Sequence, residues 1–422
     1  MKNNSITRVK QAFFQNSAAT IASIIIGLSF KIWLAHELPK SDLALFNTII
    51  DVILLALILM TGFRSSMVVT YSQINNDRDI INVFRFSLLA MVLFTWGIVL
   101  PYIKHKMQLD ISYFQFVAII LAIGLKVYFT NLIAMYRLYP ISNKVTWLEP
   151  VSNVIFFIIC YFFLGFPPLK SLFLSLTLSC LFVAGFMYKH RNKTIATRSL
   201  NTVTLNPEIV GFIKKSFISA LEAASSILMI YITILLTVQH FSVDELGDFQ
   251  VVVRPIFTYL TLLLVFPIYK FVLPELAVCV RNNDIEQIKQ MKHWVYKLAI
   301  GFSACFFIIM LFFADTIIGF VFSNNYIGAV PVLVHFSVFF VFMMLNAFQL
   351  AYIKANGFFL QSLMIRIAGI VTLVSSFYFY MQFTQNVVSI ISALGTGYLT
   401  MFLFSCAVER KILQDNRQKS AP

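Results

Sequence analysis

Long apolar runs recur along the whole chain, separated by short polar breaks. Twelve runs stand out, at about 12–36, 43–70, 81–103, 112–136, 145–165, 169–188, 212–238, 248–272, 293–314, 329–353, 361–381 and 387–408. A helix needs about 20 apolar residues to cross the hydrocarbon layer, and these runs have that length. Strands of a membrane barrel would instead alternate over about 10 residues. The pattern predicts an all-α polytopic membrane protein with about twelve transmembrane helices. The first run follows the basic start MKNNSITRVK. It is too long for a signal-peptide core and lacks a small-residue cleavage site, so it reads as a retained first helix.

The breaks between runs carry the topology. One side receives the N-terminus, the 71–80 and 137–144 loops, KHRNKTIATR (189–198), the 275–292 loop, the 354–360 loop and the C-terminal ERKILQDNRQK. Most of the 32 Lys and Arg lie there, while the opposite side has Lys40, Lys104, Lys106 and Lys170. By the positive-inside rule both termini face the cytoplasm. The longest polar stretch, 189–211, reads as a cytoplasmic linker. It separates a six-helix bundle over 1–188 from a second over 212–408, and 409–422 forms a cytoplasmic tail.

The two bundles share a pattern. At an offset of 203, "SDLALFN" (41–47) lies over "DELGDFQ" (244–250), and Ser23 falls on Ser226. Six spans per half is even, so the halves keep one orientation. That plan places a substrate site between repeats related by an axis along the membrane normal.

Composition agrees with this reading. Of 422 residues, 59% are hydrophobic and 12% charged, with a mean hydropathy of +0.83. No soluble class fits those values. The net charge of +14 is accounted for by the basic loops, so no nucleic-acid partner is implied. Cys160, Cys180, Cys279, Cys305 and Cys406 have no metal-ligand spacing and read as small core residues. There is no GxxxxGK[ST], HExxH or ExxH pair, and no loop could hold a catalytic domain. The chain reads as a non-enzyme without a resident cofactor or metal.

The candidate chemistry lies inside the spans. Asn16, Thr20, Ser23, Gly27 and Lys31 fall within an arc of about 80° on span 1. Ser219, Glu222, Ser226, Thr233 and Thr237 fall within about 60° on span 7. Small polar residues often serve only to pack helices together. Charges fit that explanation poorly, because each costs roughly 2.5–3.5 kcal/mol at the bilayer centre. Six in-span charges are singled out: Lys31, Asp51, Arg64, Lys126, Glu222 and Arg254. At the 203 offset Asp51 lies opposite Arg254, so the two are expected to pair with Lys31 near the outer end of a central cavity. Glu222, Asp51 and Arg254 are the candidates for gating or for H+ or Na+ coupling. Simpler readings stand beside these. Arg64 and Lys31 would snorkel toward the interfaces, Lys126 would pair structurally with Glu222, and His335, on a face with Asn346 and Gln349, would be a satisfied core histidine. Four basic groups against two acidic ones favour an anionic ligand, with Lys31, Arg64, Lys126 and Arg254 compensating phosphate oxygens.

The short outer loops "HELPKSDLALFN" and "QHFSVDELGDFQ" belong to a pattern of two six-helix halves with basic starts. With "TGFRSSMVVTYSQ" (61–73), "IIGFVFSNNYIGAVPVL" (317–333) and "YIKANG" (352–357), the chain resembles the Wzx-type polysaccharide flippases of the multidrug/oligosaccharidyl-lipid/polysaccharide (MOP) exporter superfamily. The resemblance implies two pseudo-symmetric six-helix bundles around a central cavity, a MATE-like arrangement. It implies an inner-membrane flippase that moves an undecaprenyl-pyrophosphate-linked oligosaccharide, such as an O-antigen unit, to the outer leaflet by alternating access. Lys31, Arg64 and Arg254 lie on helices whose basic residues line that cavity in the family. Membrane lipid and other polysaccharide-assembly membrane proteins are the implied partners. The alternatives are a multidrug or organic-cation antiporter of the same superfamily and a non-transporting component of glycan assembly.

Overall fold

The computed structural model describes residues 5–38, 42, 46, 49–50, 53, 56–74, 77–101, 105, 113–190, 206–242, 245, 248–321 and 324–420. Among these residues twelve helices follow the order of the twelve apolar runs. They are α1 (Ser5–Glu37), α2 (Ile58–Ile74), α3 (Asp77–Val99), α4 (Tyr113–Met135), α5 (Tyr139–Phe163) and α6 (Pro168–His190). Then come α7 (Pro207–His240), α8 (Arg254–Arg281), α9 (Ile285–Val321), α10 (Val330–Ala355), α11 (Phe359–Tyr380) and α12 (Val388–Ser420). Eleven are long and apolar enough to cross a membrane. The exception is α2, whose apolar run begins in positions that are largely outside the described residues. Many helix faces are apolar and exposed, Phe312 by 71% and Phe163 by 79%. Hydrocarbon is the solvent such faces require.

Prolines mark four of the five pi-helical turns among the described residues, Ile159–Phe163 being the other. Pi-helical turns at Thr95–Val99, Phe249–Val253, Thr261–Val265 and Ile268–Val272 each end two residues before a proline, namely Pro101, Pro255, Pro267 and Pro274. A proline lacks the N–H and crowds the preceding turn, and a wider turn relieves both effects. Three of these turns fall over 249–272, making α8 and its lead-in the most irregular stretch of the second half.

Contacts divide the chain into two units, Lys10–Ala220 and Met1–Val9 with Leu221–Pro422. In the first, α6 packs along α4 and α5, and α2 packs on α4. In the second, α12 packs along α10 and α11, and α8 packs on α10. The pairing scheme is therefore repeated.

One turn is repeated almost bond for bond. Between α4 and α5, Arg137 has φ 55° and Leu138 has φ −81°, ψ 62°. Between α10 and α11, Gly357 has φ 87° and Phe358 has φ −84°, ψ 59°. The N–H of Leu138 donates to Ile133 O (3.0 Å) and that of Arg137 to Ala134 O (3.1 Å). Phe358 and Gly357 donate in the same way to Ile353 O (3.2 Å) and Lys354 O (2.8 Å). This is a Schellman ending, with the left-handed residue that it needs. Glycine supplies that conformation in one copy, and Arg137 adopts it against its preference in the other. A third copy caps α8, where Asn283 has φ 52° and Asp284 N–H reaches Cys279 O (2.9 Å).

Close helix approach depends on small residues. A Cβ added at Gly62 of α2 would collide with the backbone of Ala220 on α7. Gly62→Ala should therefore force these helices apart and destabilise the protein by about 1–3 kcal/mol. A lowered melting midpoint in detergent checks this; an unchanged midpoint would refute the contact.

Candidate functional site

The polar stripe of α1 is built locally. Asn16 and Thr20 are buried, and Asn16 Nδ2 donates to Thr20 Oγ1 at 3.1 Å. Ser23 is half-buried and Lys31 is exposed. On α7, Ser219 is buried and Ser226 half-buried. Thr233 and Thr237 donate to carbonyls of their own helix, at Met229 O (2.9 Å) and Thr233 O (2.8 Å). Those two threonines fit a packing role.

Glu222 has a different environment. It is 4% exposed, and its two oxygens are divided between two cations. Lys354 Nζ lies 2.8 Å from Oε2, and Arg366 Nη2 lies 3.3 Å from Oε1. Lys354 and Arg366 are themselves 3% and 7% exposed. The Lys354 ammonium also stands over the ring of Tyr269, 4.8 Å from its centroid. Three helices, α7, α10 and α11, thus meet at one carboxylate that is answerable to two positive charges.

The expected Lys126–Glu222 pair is not how either charge is satisfied. Lys126 on α4 bonds Glu149 on α5, Nζ to Oε1 at 2.6 Å, with side chains 21% and 35% exposed. The Glu149 backbone carbonyl accepts from Ser179 Oγ (3.1 Å), which ties in α6. A third ionic cluster joins α9, α10 and α12. Lys292 Nζ grips both oxygens of Glu409 at 2.6 and 2.7 Å, and Gln349 Nε2 donates to Glu409 Oε2 at 2.9 Å and to Tyr296 Oη at 2.6 Å.

His335 departs from expectation. It is exposed, with Nδ1 2.8 Å from Pro331 O of its own helix, rather than a core histidine. Its expected neighbours serve other contacts, Asn346 donating to Tyr398 O at 2.7 Å and Gln349 to the Glu409 cluster. Arg64 is half-buried on α2. Arg254 is exposed at the start of α8 and lines a small, largely apolar pocket with Thr233, Phe249, Phe257 and Phe336. Asp51, and with it the expected Asp51–Arg254 pair, lies outside the described residues. Between α4 and α5, Tyr136 donates to Asp77 Oδ2 at 2.7 Å. Among the described residues no group of three or more His, Cys, Asp or Glu converges as a metal site would require.

Sequence reasoning missed Glu149, Lys354 and Arg366. Lys354 falls in the predicted 354–360 loop, yet α10 continues through Ala355. Glu149 was placed near a span start at 145, yet α5 begins at Tyr139. Carboxylates and cations a turn or more inside a helix end were the available signal.

No family model matches the chain, and no curated protein matches it. Solved structures do. A MATE protein crystallised in a bent conformation aligns with a TM-score of 0.82 at 14% identity, covering 100% of this chain and 98% of that one. An outward-facing MATE-family multidrug resistance transporter of the MOP superfamily aligns at 0.79 and 14%, covering 99% of each. A MOP superfamily transporter from Pyrococcus furiosus, described by the reversed polarity of its binding pocket, aligns at 0.74 and 15%, covering 96% and 98%. At such identities the likeness is one of architecture, and it runs the full length of both chains: this is an all-helical, multi-pass chain with the fold of the MATE transporters of the MOP superfamily.

Proposed function

We propose that this protein is a flippase for undecaprenyl-pyrophosphate-linked oligosaccharide, acting in the bacterial inner membrane with both termini cytoplasmic. The carrying observation is local: one buried carboxylate on α7 faces two buried cations. Lys126 is matched by Glu149 and Lys292 by Glu409, but Glu222 answers to both Lys354 and Arg366. At Glu222 two cations share one carboxylate, and a local positive excess of that kind suits an anionic cargo better than an organic cation. In this reading Arg64, Arg254 and Lys31 offset the pyrophosphate while the polyprenyl chain stays in lipid. Transport in this reading is by alternating access. Lys126 contributes less than the sequence suggested, since its charge is committed to Glu149. Both oxygens of Glu222 are likewise engaged, so coupling to H+ or Na+ rests on Asp51.

Deletion of the gene, with glycan assembly otherwise intact, should leave undecaprenyl-linked units on the inner leaflet. Units still reaching the outer leaflet at the wild-type rate would overturn the proposal. The multidrug reading has one specific support, the multidrug transporter among the structural neighbours. It predicts drug sensitivity on deletion with normal surface glycan.

A further inference from the structure

The second unit carries a basic collar that the flippase reading does not use. α9 has 37 residues, about 55 Å at about 1.5 Å per residue, against about 30 Å of hydrocarbon. Its exposed stripe runs Lys289, His293, Lys297 and then Ile300, which is 57% exposed. α12 shows the reverse order: Leu403 (58%) and Phe404 (50%) are exposed, followed by Arg410 and Lys411. Both helices therefore pass from lipid-facing apolar residues to cations at the same end.

The Lys292–Glu409 bridge sets their relative level. The two helices run in opposite directions, being three crossings apart. Moving outward from the bridge reaches Lys289 on α9 and Arg410 and Lys411 on α12. Moving inward reaches Lys297, Ile300, Phe404 and Leu403. The bridge consumes the charge of Lys292, but among the described residues Lys289, Lys297, Arg410 and Lys411 have no ion-pair partner. Lys289, Arg410 and Lys411 lie beyond the bridge and Lys297 one turn before Ile300, at the edge of the apolar belt, a spread that complements phosphate at headgroup depth.

We propose that this collar binds the headgroup of an anionic phospholipid. Lys289, Lys297, Arg410 and Lys411 contact the phosphate, and Ile300, Leu403 and Phe404 lie along the acyl chains. The Lys292–Glu409 bridge positions the two cationic stripes. The site is independent of the cargo, so it stands or falls separately from the flippase reading.

The test uses the purified full chain in a neutral detergent, titrated with phosphatidylglycerol or phosphatidylcholine. Bound lipid is counted by native mass spectrometry, and the melting midpoint is followed in parallel. Phosphatidylglycerol should bind and raise the midpoint. The variant K289Q/K297Q/R410Q/K411Q should bind it at least tenfold more weakly, since each surface cation contributes about fivefold. Phosphatidylcholine should not distinguish the two proteins. Equal binding of both lipids by the wild type, or unchanged phosphatidylglycerol binding by the variant, would overturn the proposal. Should the fourfold variant fail to fold, R410Q/K411Q, on exposed positions late in α12, carries the same expectation at about 25-fold.

Discussion

Glu222→Gln is expected to be the most damaging conservative substitution in the second unit, at about 3–5 kcal/mol. The amide keeps the shape and removes the charge, leaving Lys354 and Arg366 buried together at 3% and 7% exposure without the carboxylate they share. Two like charges in a low-dielectric site repel, and each has forfeited its hydration. The reverse change separates this account from a general packing defect. Lys354→Met leaves Glu222 with Arg366, a one-to-one pair, and also removes the surplus charge. It should cost much less than Glu222→Gln, because it removes one ion pair and leaves no surplus charge at the carboxylate. Adding Lys354→Met to Glu222→Gln should recover part of the loss, because one unpaired cation remains rather than two. Thermal or chemical unfolding of the purified variants reads the order. A Glu222→Gln protein as stable as the wild type would mean that the three groups do not share one dry site.

The second large effect concerns transport rather than stability. Arg254→Gln should lower the initial rate of undecaprenyl-linked oligosaccharide translocation in proteoliposomes roughly 10–100-fold, the loss of one charge-assisted contact of about 1.5–3 kcal/mol. Arg254 is exposed beside a pocket of apolar side chains, and the melting midpoint, read in parallel, separates a transport defect from a loss of fold. Lys126→Met should behave in the opposite way. It strands Glu149, lowers stability, and reduces transport only in proportion to the protein lost. The double variant K126M/E149M removes both charges and should regain stability and transport together. If Lys126→Met abolished translocation in a stable protein and the double variant did not recover it, Lys126 would be a cargo contact after all.

How much of this was legible in the sequence varies by element. The membrane class and the helix order were readable because a bilayer imposes a local rule: about 20 consecutive residues must be apolar whatever else the chain does. The repeat was faintly visible in "SDLALFN" and "DELGDFQ", and the Schellman turns show it again at Arg137 and Gly357. These turns share hydrogen bonds but almost no side chains, since a turn is specified by backbone conformation and tolerates most residues around it. Pi-helical turns were foreshadowed by Pro101, Pro255, Pro267 and Pro274, though a proline in a membrane helix does not say whether the chain kinks or widens. Helix starts were set too late at α5 and α9, because polar residues at the interface keep a helix going after the apolar run has stopped.

By itself the sequence determined that the chain is a bundle of membrane-crossing helices with a basic side, and that cations outnumber carboxylates within it. Both follow from hydropathy and charge, properties that each residue brings with it. Only the tertiary structure decided how those charges are shared: Lys126 with Glu149, Lys292 with Glu409, and one Glu222 between Lys354 and Arg366. Glu222 lies 132 residues from Lys354 and 144 from Arg366. No local pattern links groups so far apart; the packing of α7, α10 and α11 brings them within hydrogen-bonding distance, where desolvation makes the choice of partner a matter of several kcal/mol.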